Sequence, residues 1–206
     1  MSFYVLEGAN GCGKTSIIKY FAKMGIKTLS SPNGTELAKH IRSACRGIDQ
    51  WSDLSDMVKF LLFSAARCDE FDKLVKDQKE LIICDRWHFS TFVYQVILGG
   101  IPQKLYEMTI HPEEKIDRVI ILTGHPDVLA DRVIKEREKN PTHGVCTWTK
   151  ERETMKRINE IYVNELPKYL KSKGIEYDIV DTTKHSLEIV QSMIEITLPV
   201  GRSRID

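Results

Sequence analysis

An excess of charge of either sign is what this 206-residue chain most plainly lacks: 30 basic residues stand against 29 acids, a net charge of +1. No global field therefore favours a nucleic-acid polymer or an anionic membrane as partner, and any phosphate binding has to be local. No apolar run approaches the roughly 20 residues that span a bilayer, and the N-terminus enters an apolar stretch without a basic segment or cleavage pattern. Both absences predict a soluble, cytoplasmic protein with no membrane partner. The five cysteines (Cys12, Cys45, Cys68, Cys84 and Cys146) are odd in number and far apart. They lack the paired spacing of zinc sites or disulfide frameworks, which fits a reducing compartment. Repeats, low-complexity tracts and long linkers are also missing. The expectation is one domain over residues 1–206, whose 42% hydrophobic content suffices for a core.

What the sequence does contain is alternation. Short apolar runs alternate with segments of helical period, which predicts an α/β fold: a five-stranded parallel sheet flanked by helices. The strands are expected near Phe3 to Glu7, Lys27 to Ser31, Leu81 to Asp85, Arg118 to Leu122 and Tyr177 to Val180. Helices fill Lys14 to Met24, Glu36 to Cys45, Asp53 to Lys76, Phe89 to Leu98, Asp127 to Glu138, Lys150 to Lys171 and Ser186 to Ile196. The polar stretch Lys139 to Thr149, with Pro141 and Gly144, reads as a mobile loop able to close over a site.

Residues Gly8 to Thr15 read GANGCGKT, a G-x-x-x-x-G-K-[ST] loop with an apolar strand before it and a helix after it. Its glycines let successive N–H groups point at phosphate oxygens, the helix adds its positive end, and Lys14 supplies a mobile charge. Gly8, Ala9, Asn10, Gly11, Cys12, Gly13, Lys14 and Thr15 are thus the candidate triphosphate cradle, with Thr15 placed to hold Mg²⁺. The third apolar run ends in Asp85 and Arg86, at the carboxyl end of a buried strand, where open α/β sheets bind ligands. There a carboxylate can orient Mg²⁺ and a guanidinium can neutralise a transferring phosphoryl group.

In the Asp53 to Lys76 helix, a step of about 100° per residue puts Leu54, Met57, Val58, Leu61, Ala65 and Cys68 on one stripe, read as the core face. Phe63 and Arg67 then lie opposite, one turn apart and pointing away from that core. An aromatic face beside a fixed fork of donors can stack on a base and pair with its carbonyl or a phosphate.

With these residues in view, the chain resembles the thymidylate kinase family of P-loop nucleoside monophosphate kinases. The likeness rests on VLEGANGCGKT, PNGTELAKHIR, LLFSAARCDEF, CDRWHFSTFVYQ and IVDTTKHSLEIV, in family order and over nearly the whole chain. It implies a P-loop kinase fold with a lid at about 137–152, ATP as phosphoryl donor with Mg²⁺, thymidine 5′-monophosphate (dTMP) as acceptor, and commonly a homodimer. By resemblance, Phe63 stacks on thymine, Arg67 reaches the base and Arg86 lies between donor and acceptor phosphates. Ser90 and Thr91 line the base pocket, and Tyr94 lies under the sugar, where its ring disfavours a 2′-hydroxyl. Pro32 opens the segment facing the acceptor, and the adenine-side loop begins at Asp181 and Thr182. The family's catalytic arginine comes from the phosphate loop or the lid. With Gly11 at the loop position, the lid must supply it, and Arg137 and Arg152 are the candidates, with Arg157 and Lys135 behind them.

Two residues depart from the family pattern. Asn10 stands where a carboxylate is usual, and Ser30 where many members carry an arginine directed at the acceptor phosphate. They leave room for another deoxynucleoside monophosphate as acceptor. A deoxynucleoside kinase shares the phosphate loop, but its hydroxyl acceptor needs a base, whereas Ser30, Ser31 and Pro32 offer no carboxylate at the second strand's end. A catalytically silent binding module is the remaining alternative, and a guanine-selecting N-K-x-D loop is absent from the sequence. Lys14→Ala should lower turnover by orders of magnitude in a protein that stays folded, as read by a coupled ADP-release assay alongside circular dichroism.

Overall fold

The structure is a computed structural model and describes residues 2–45, 54–139 and 152–199. Its sheet has five strands, all parallel, in the order β2-β3-β1-β4-β5: β1 (Ser2–Gly8), β2 (Lys27–Ser30), β3 (Leu81–Asp85), β4 (Arg118–Thr123) and β5 (Glu176–Asp181). Parallel pairing demands crossovers, and helices supply them: α1 (Lys14–Lys23), α2 (Glu36–Cys45), α3 (Asp56–Glu70), α4 (His88–Thr91), α5 (Gln103–Glu107), α6 (Pro126–Lys139), α7 (Arg152–Ser172) and α8 (Leu187–Thr197). Wider π-type turns continue α3 over Phe71–Val75 and α4 over Phe92–Leu98. The expected fold class and all five strands are present. Helix α5 was not foreseen, because five residues are too few to show a period. The expected lid, at about 137–152, falls mostly outside the described residues.

Strand β1 occupies the middle of the sheet, so both its faces are covered, and residues 3–8 are all buried. Phe3, Val5 and Leu6 pack there with Ile82, Ile83 and Val119 to Leu122 of the neighbouring strands. The register sets Leu6 beside Asp85 and Gly8 beside Leu122. The carboxyl ends of β1, β3 and β4 therefore finish level, and the loops that leave them converge above the sheet.

Helix α3 corrects the expected core stripe. Met57 is 40% exposed, Val58 39% and Leu61 50%, while Phe60, Ser64, Arg67 and the following Phe71 form the buried face. Phe63, Leu62 and Ala66 meet Ala38 and Ile41 of α2 in a second, smaller cluster. Apolar counting inverted the helix because its inward face carries polar groups that find partners inside. Ser64 Oγ donates to the Phe60 carbonyl, and the Glu70 carboxylate accepts from the backbone N–H groups of Asn33 and Gly34. Ser55 begins the helix, its Oγ accepting from Val58 N. Phe60→Ala should cost about 3–5 kcal/mol of stability and Leu61→Ala less than about 1 kcal/mol, measured by urea unfolding at a concentration where the chain is monomeric.

Candidate active site

The phosphate loop owes its path to crowding as much as to glycine's freedom. Gly8 has φ +140°, and a Cβ there would lie 2.1 Å from the Leu122 carbonyl oxygen. Gly11 has φ +83°, and its Cβ would lie 2.4 Å from the Leu129 oxygen of α6. No side chain fits at Gly11 while α6 keeps this position, so no arginine can stand in the loop there. Lys14 is buried with its ammonium curled over the loop, donating to the Gly8 and Ala9 carbonyls at 2.8 and 2.9 Å, with Cys12 Sγ at 3.4 Å. Thr15 is exposed in the first turn of α1, whose N–H groups face the loop.

Next to the loop, β3 ends in Asp85 and Arg86. Arg86 has φ +68°, the one left-handed non-glycine backbone among the described residues. Its N–H donates to the Leu6 carbonyl at 2.9 Å, and its own carbonyl accepts from Cys84 Sγ. Backbone held in this region costs of order 1–3 kcal/mol and persists where neighbours enforce it, often at functional sites. The turn aims the guanidinium across the phosphate loop. Nη2 donates to Asn10 Oδ1 at 2.7 Å, and Nη1 donates to Ser90 Oγ at 2.9 Å and Tyr162 Oη at 3.1 Å. The Tyr94 ring centroid lies 5.9 Å from its Cζ. Burial works against the Arg86 charge, but Tyr162, Tyr94, Glu7 and Asp85 outweigh it and hold the guanidinium well above its usual range.

Behind Arg86 sits a group that the sequence reading passed over. Glu7 is 0% exposed in the central strand, and its Oε1 accepts from Trp87 N at 2.9 Å and Ser90 N at 3.1 Å. Its Oε2 accepts from Ser90 Oγ at 2.8 Å and Tyr162 Oη at 3.1 Å. An acid inside an otherwise apolar strand was the available signal.

Arg67 is 4% exposed, donating to Thr91 Oγ1 at 3.0 Å and Ser64 Oγ at 3.3 Å. It is a buried guanidinium, and burial lowers its pKa against the opposing influence of Glu114 and Tyr106. Phe63, one turn earlier, is half-buried at the α2 side. The loop after β2 is held by Glu70, which also accepts from Ser31 Oγ, and desolvation raises the Glu70 pKa despite these bonds. On the loop's other side, Arg42 of α2 reaches the Pro32 carbonyl at 3.5 Å, a cation beside the segment where Ser30 supplies none.

A second missed residue joins the loops of β1 and β5. Arg132 of α6 donates to the Gly11 carbonyl at 3.3 Å, to Thr182 Oγ1 at 3.2 Å and to the Thr182 carbonyl at 3.1 Å. Asp181 accepts from Thr183 N and Oγ1, and these bonds with Lys184 lower its pKa although burial opposes them. Of the lid candidates, Arg152 pairs with Asp127 at 3.2 Å and Asp131 at 2.7 Å, clamping α7 to α6. Arg137 lies on α6 with its side chain outside the described residues, while Lys135 and Arg157 are exposed.

The first β-α loop is thus met by Arg86, which donates to Asn10 Oδ1 at 2.7 Å, and by Arg132, which donates to the Gly11 carbonyl at 3.3 Å. The model of the thymidylate kinase family matches residues 6–194. The chain belongs to the thymidylate kinase family. A probable thymidylate kinase of Methanococcus maripaludis is 30% identical over 204 residues, covering 94% of this chain and 95% of that protein. The thymidylate kinase of Malacoplasma penetrans is 26% identical over 171 residues, covering 76% and 78%. That of Chlamydia muridarum is 32% identical over 108 residues, covering 48% and 52%. Members of the family are phosphotransferases with ATP as donor, and no described helix here is long and apolar enough to cross a membrane. Arg132→Ala should raise the KM for ATP about tenfold and leave that of the acceptor within about twofold, since it loosens only the β1 and β5 loops.

Proposed function

We propose that this protein transfers the γ-phosphoryl group of ATP to dTMP, giving the diphosphate, in the cytoplasm. The observation that carries the reading is Arg86, which a left-handed turn swings from the tip of β3 onto Asn10 of the phosphate loop, 2.7 Å away. A cation so placed is shared between donor and acceptor phosphates.

The loop N–H groups and the start of α1 hold the β- and γ-phosphates of ATP, and Lys14 moves from the loop carbonyls onto phosphate oxygen. Arg132, Asp181 and Thr182 flank the nucleoside end of the donor. The acceptor's base lies over Phe63 with Arg67 at its edge, its sugar lies against Tyr94, and Thr91 and Ser90 close the pocket. Arg42, beside Pro32, supplies the acceptor-phosphate charge that Ser30 lacks. A monophosphate, with second pKa about 6, arrives largely deprotonated and needs no base. Arg86 and a lid arginine, Arg137 or Arg152, neutralise charge as the phosphoryl group passes between oxygens.

Asp85 Oδ1 is buried without a hydrogen-bond partner among the described residues, and the exposed Thr15 hydroxyl stands at the first turn of α1. An orphaned carboxylate oxygen and a hydroxyl are the donor types that Mg²⁺ takes, so Asp85 and Thr15 would hold it. Held by these two residues, Mg²⁺ would supply charge neutralisation at the transferring phosphates.

The chemistry disfavours a nucleoside acceptor. Glu7 and Glu70 are both fully buried and already accept several donors, and Asp85 would be engaged with Mg²⁺, so none of the three is free to take a proton from a sugar hydroxyl. The exposed apolar stripe of Met57, Val58 and Leu61 on α3 supports the reading of this face as the contact of a homodimer.

A coupled ADP-release assay across dTMP, dUMP, dCMP and dGMP, with thymidine as the nucleoside control, should give dTMP the highest kcat/KM. Phe63→Ala should raise the acceptor's KM and not that of ATP. Faster turnover of thymidine than of dTMP would overturn the reading, and sedimentation of the same protein as a monomer would overturn the dimer.

A further inference from the structure

We propose that Glu7 is a positioning residue for phosphoryl transfer, fixing the Arg86 guanidinium through two hydroxyls, Ser90 Oγ and Tyr162 Oη, in a buried relay that joins β1 to α7. The inference rests on the assignment of Arg86 above and adds the groups that make its position single-valued.

The proton count supports it. A carboxylate offers about four lone-pair sites, and Glu7 meets four donors: Trp87 N, Ser90 N, Ser90 Oγ and Tyr162 Oη. Each hydroxyl carries one proton. The two hydroxyls also lie 3.1 Å apart, but the Glu7 carboxylate is the stronger acceptor, and with both protons on its Oε2 side the lone pairs of both oxygens face Arg86 Nη1, which lies 2.9 Å from one and 3.1 Å from the other. Carboxylate and guanidinium themselves stand 4.0 Å apart, beyond direct bonding. Ser90 and Tyr162 therefore transmit the pairing and set its direction. Burial, and then the Glu7 charge, push the Tyr162 phenol well above its usual range, so its proton stays available.

The outward arm of Arg86 meets a neutral acceptor, Asn10 Oδ1. A carboxylate there would spend part of the guanidinium's charge at the phosphate side. With an amide in front and Glu7 behind, the compensating charge lies on the side away from substrate. Oε1 of Glu7 serves another purpose, receiving the first N–H groups of α4. Oε2 is the functional half.

The test measures kcat, KM for each nucleotide and thermal unfolding of the full chain as wild type, Glu7→Gln, Tyr162→Phe, Arg86→Ala and Glu7→Gln in the Arg86→Ala background. A glutamine keeps the volume but presents N–H groups to the hydroxyls, turning their protons toward Arg86. Glu7→Gln should lower kcat about 10- to 100-fold with both KM values within about twofold, the scale of a misplaced catalytic group. Tyr162→Phe should lower kcat several-fold in the same pattern. In the Arg86→Ala background Glu7→Gln should change kcat by less than about twofold, because it acts only through the arginine. Wild-type kcat in Glu7→Gln, or an equal loss with and without Arg86, would overturn the relay. If Glu7→Gln does not fold, Tyr162→Phe decides alone, and unchanged turnover there counts against the proposal. Near-normal turnover in folded Arg86→Ala would instead overturn the assignment of Arg86 itself.

Discussion

A fully buried carboxylate in the central strand is expensive. Removing such a charge from water costs several kcal/mol even after relaxation, and only close hydrogen bonds and an opposite charge offset it. Glu7 has both: two backbone N–H groups, two hydroxyls and Arg86 beyond them. The consequence reaches well past one side chain. The same carboxylate ties β1, which leads into the phosphate loop, to the turn after β3 and to α7, whose first residue pairs with α6. Three separate stretches of chain are thereby held in one place, and the groups they carry are held with them.

Crowding is the second constraint. At Gly8 and Gly11 the backbones of β4 and α6 come so close that a Cβ would overlap a carbonyl oxygen. The loop is narrow because its neighbours leave no room, and beside its own Lys14 the guanidinium that meets its Gly11 carbonyl comes from a surrounding helix, Arg132 of α6.

Much of the fold was legible in order of residues. The strands are short apolar runs bounded by turn residues, and α2 and β3 lie where their periods place them, because covered strands and amphipathic helices obey simple spacing. Helix α3 shows where spacing misleads. Its most apolar stripe faces outward and its buried face carries Ser64, Arg67 and Glu70, since a helix beside a polar pocket must turn its hydrogen-bonding groups inward. Phe63 and Arg67 were singled out as lying opposite a core stripe and pointing away from the core, but that stripe faces outward, so Arg67 turns inward at 4% exposed and Phe63 packs on α2. Glu7, Tyr162 and Arg132 went unnoticed because nothing local distinguishes a bonded acid, phenol or guanidinium from an idle one.

The sequence alone determined the phosphate loop, since G-x-x-x-x-G-K-T between a strand and a helix has its chemistry within eight consecutive residues. It likewise determined the parallel sheet and the acid-arginine pair at the end of a strand, because local period and turn chemistry are short-range properties. Only the tertiary structure decided which way α3 faces, that α6 excludes any side chain at Gly11, and that Asn10 accepts from Arg86 while Glu7 lies behind it. Residues 7, 86 and 162 meet because parallel crossovers bring the ends of β1 and β3 under α7, and a hydrogen bond depends on distance in space, which no spacing along the chain records.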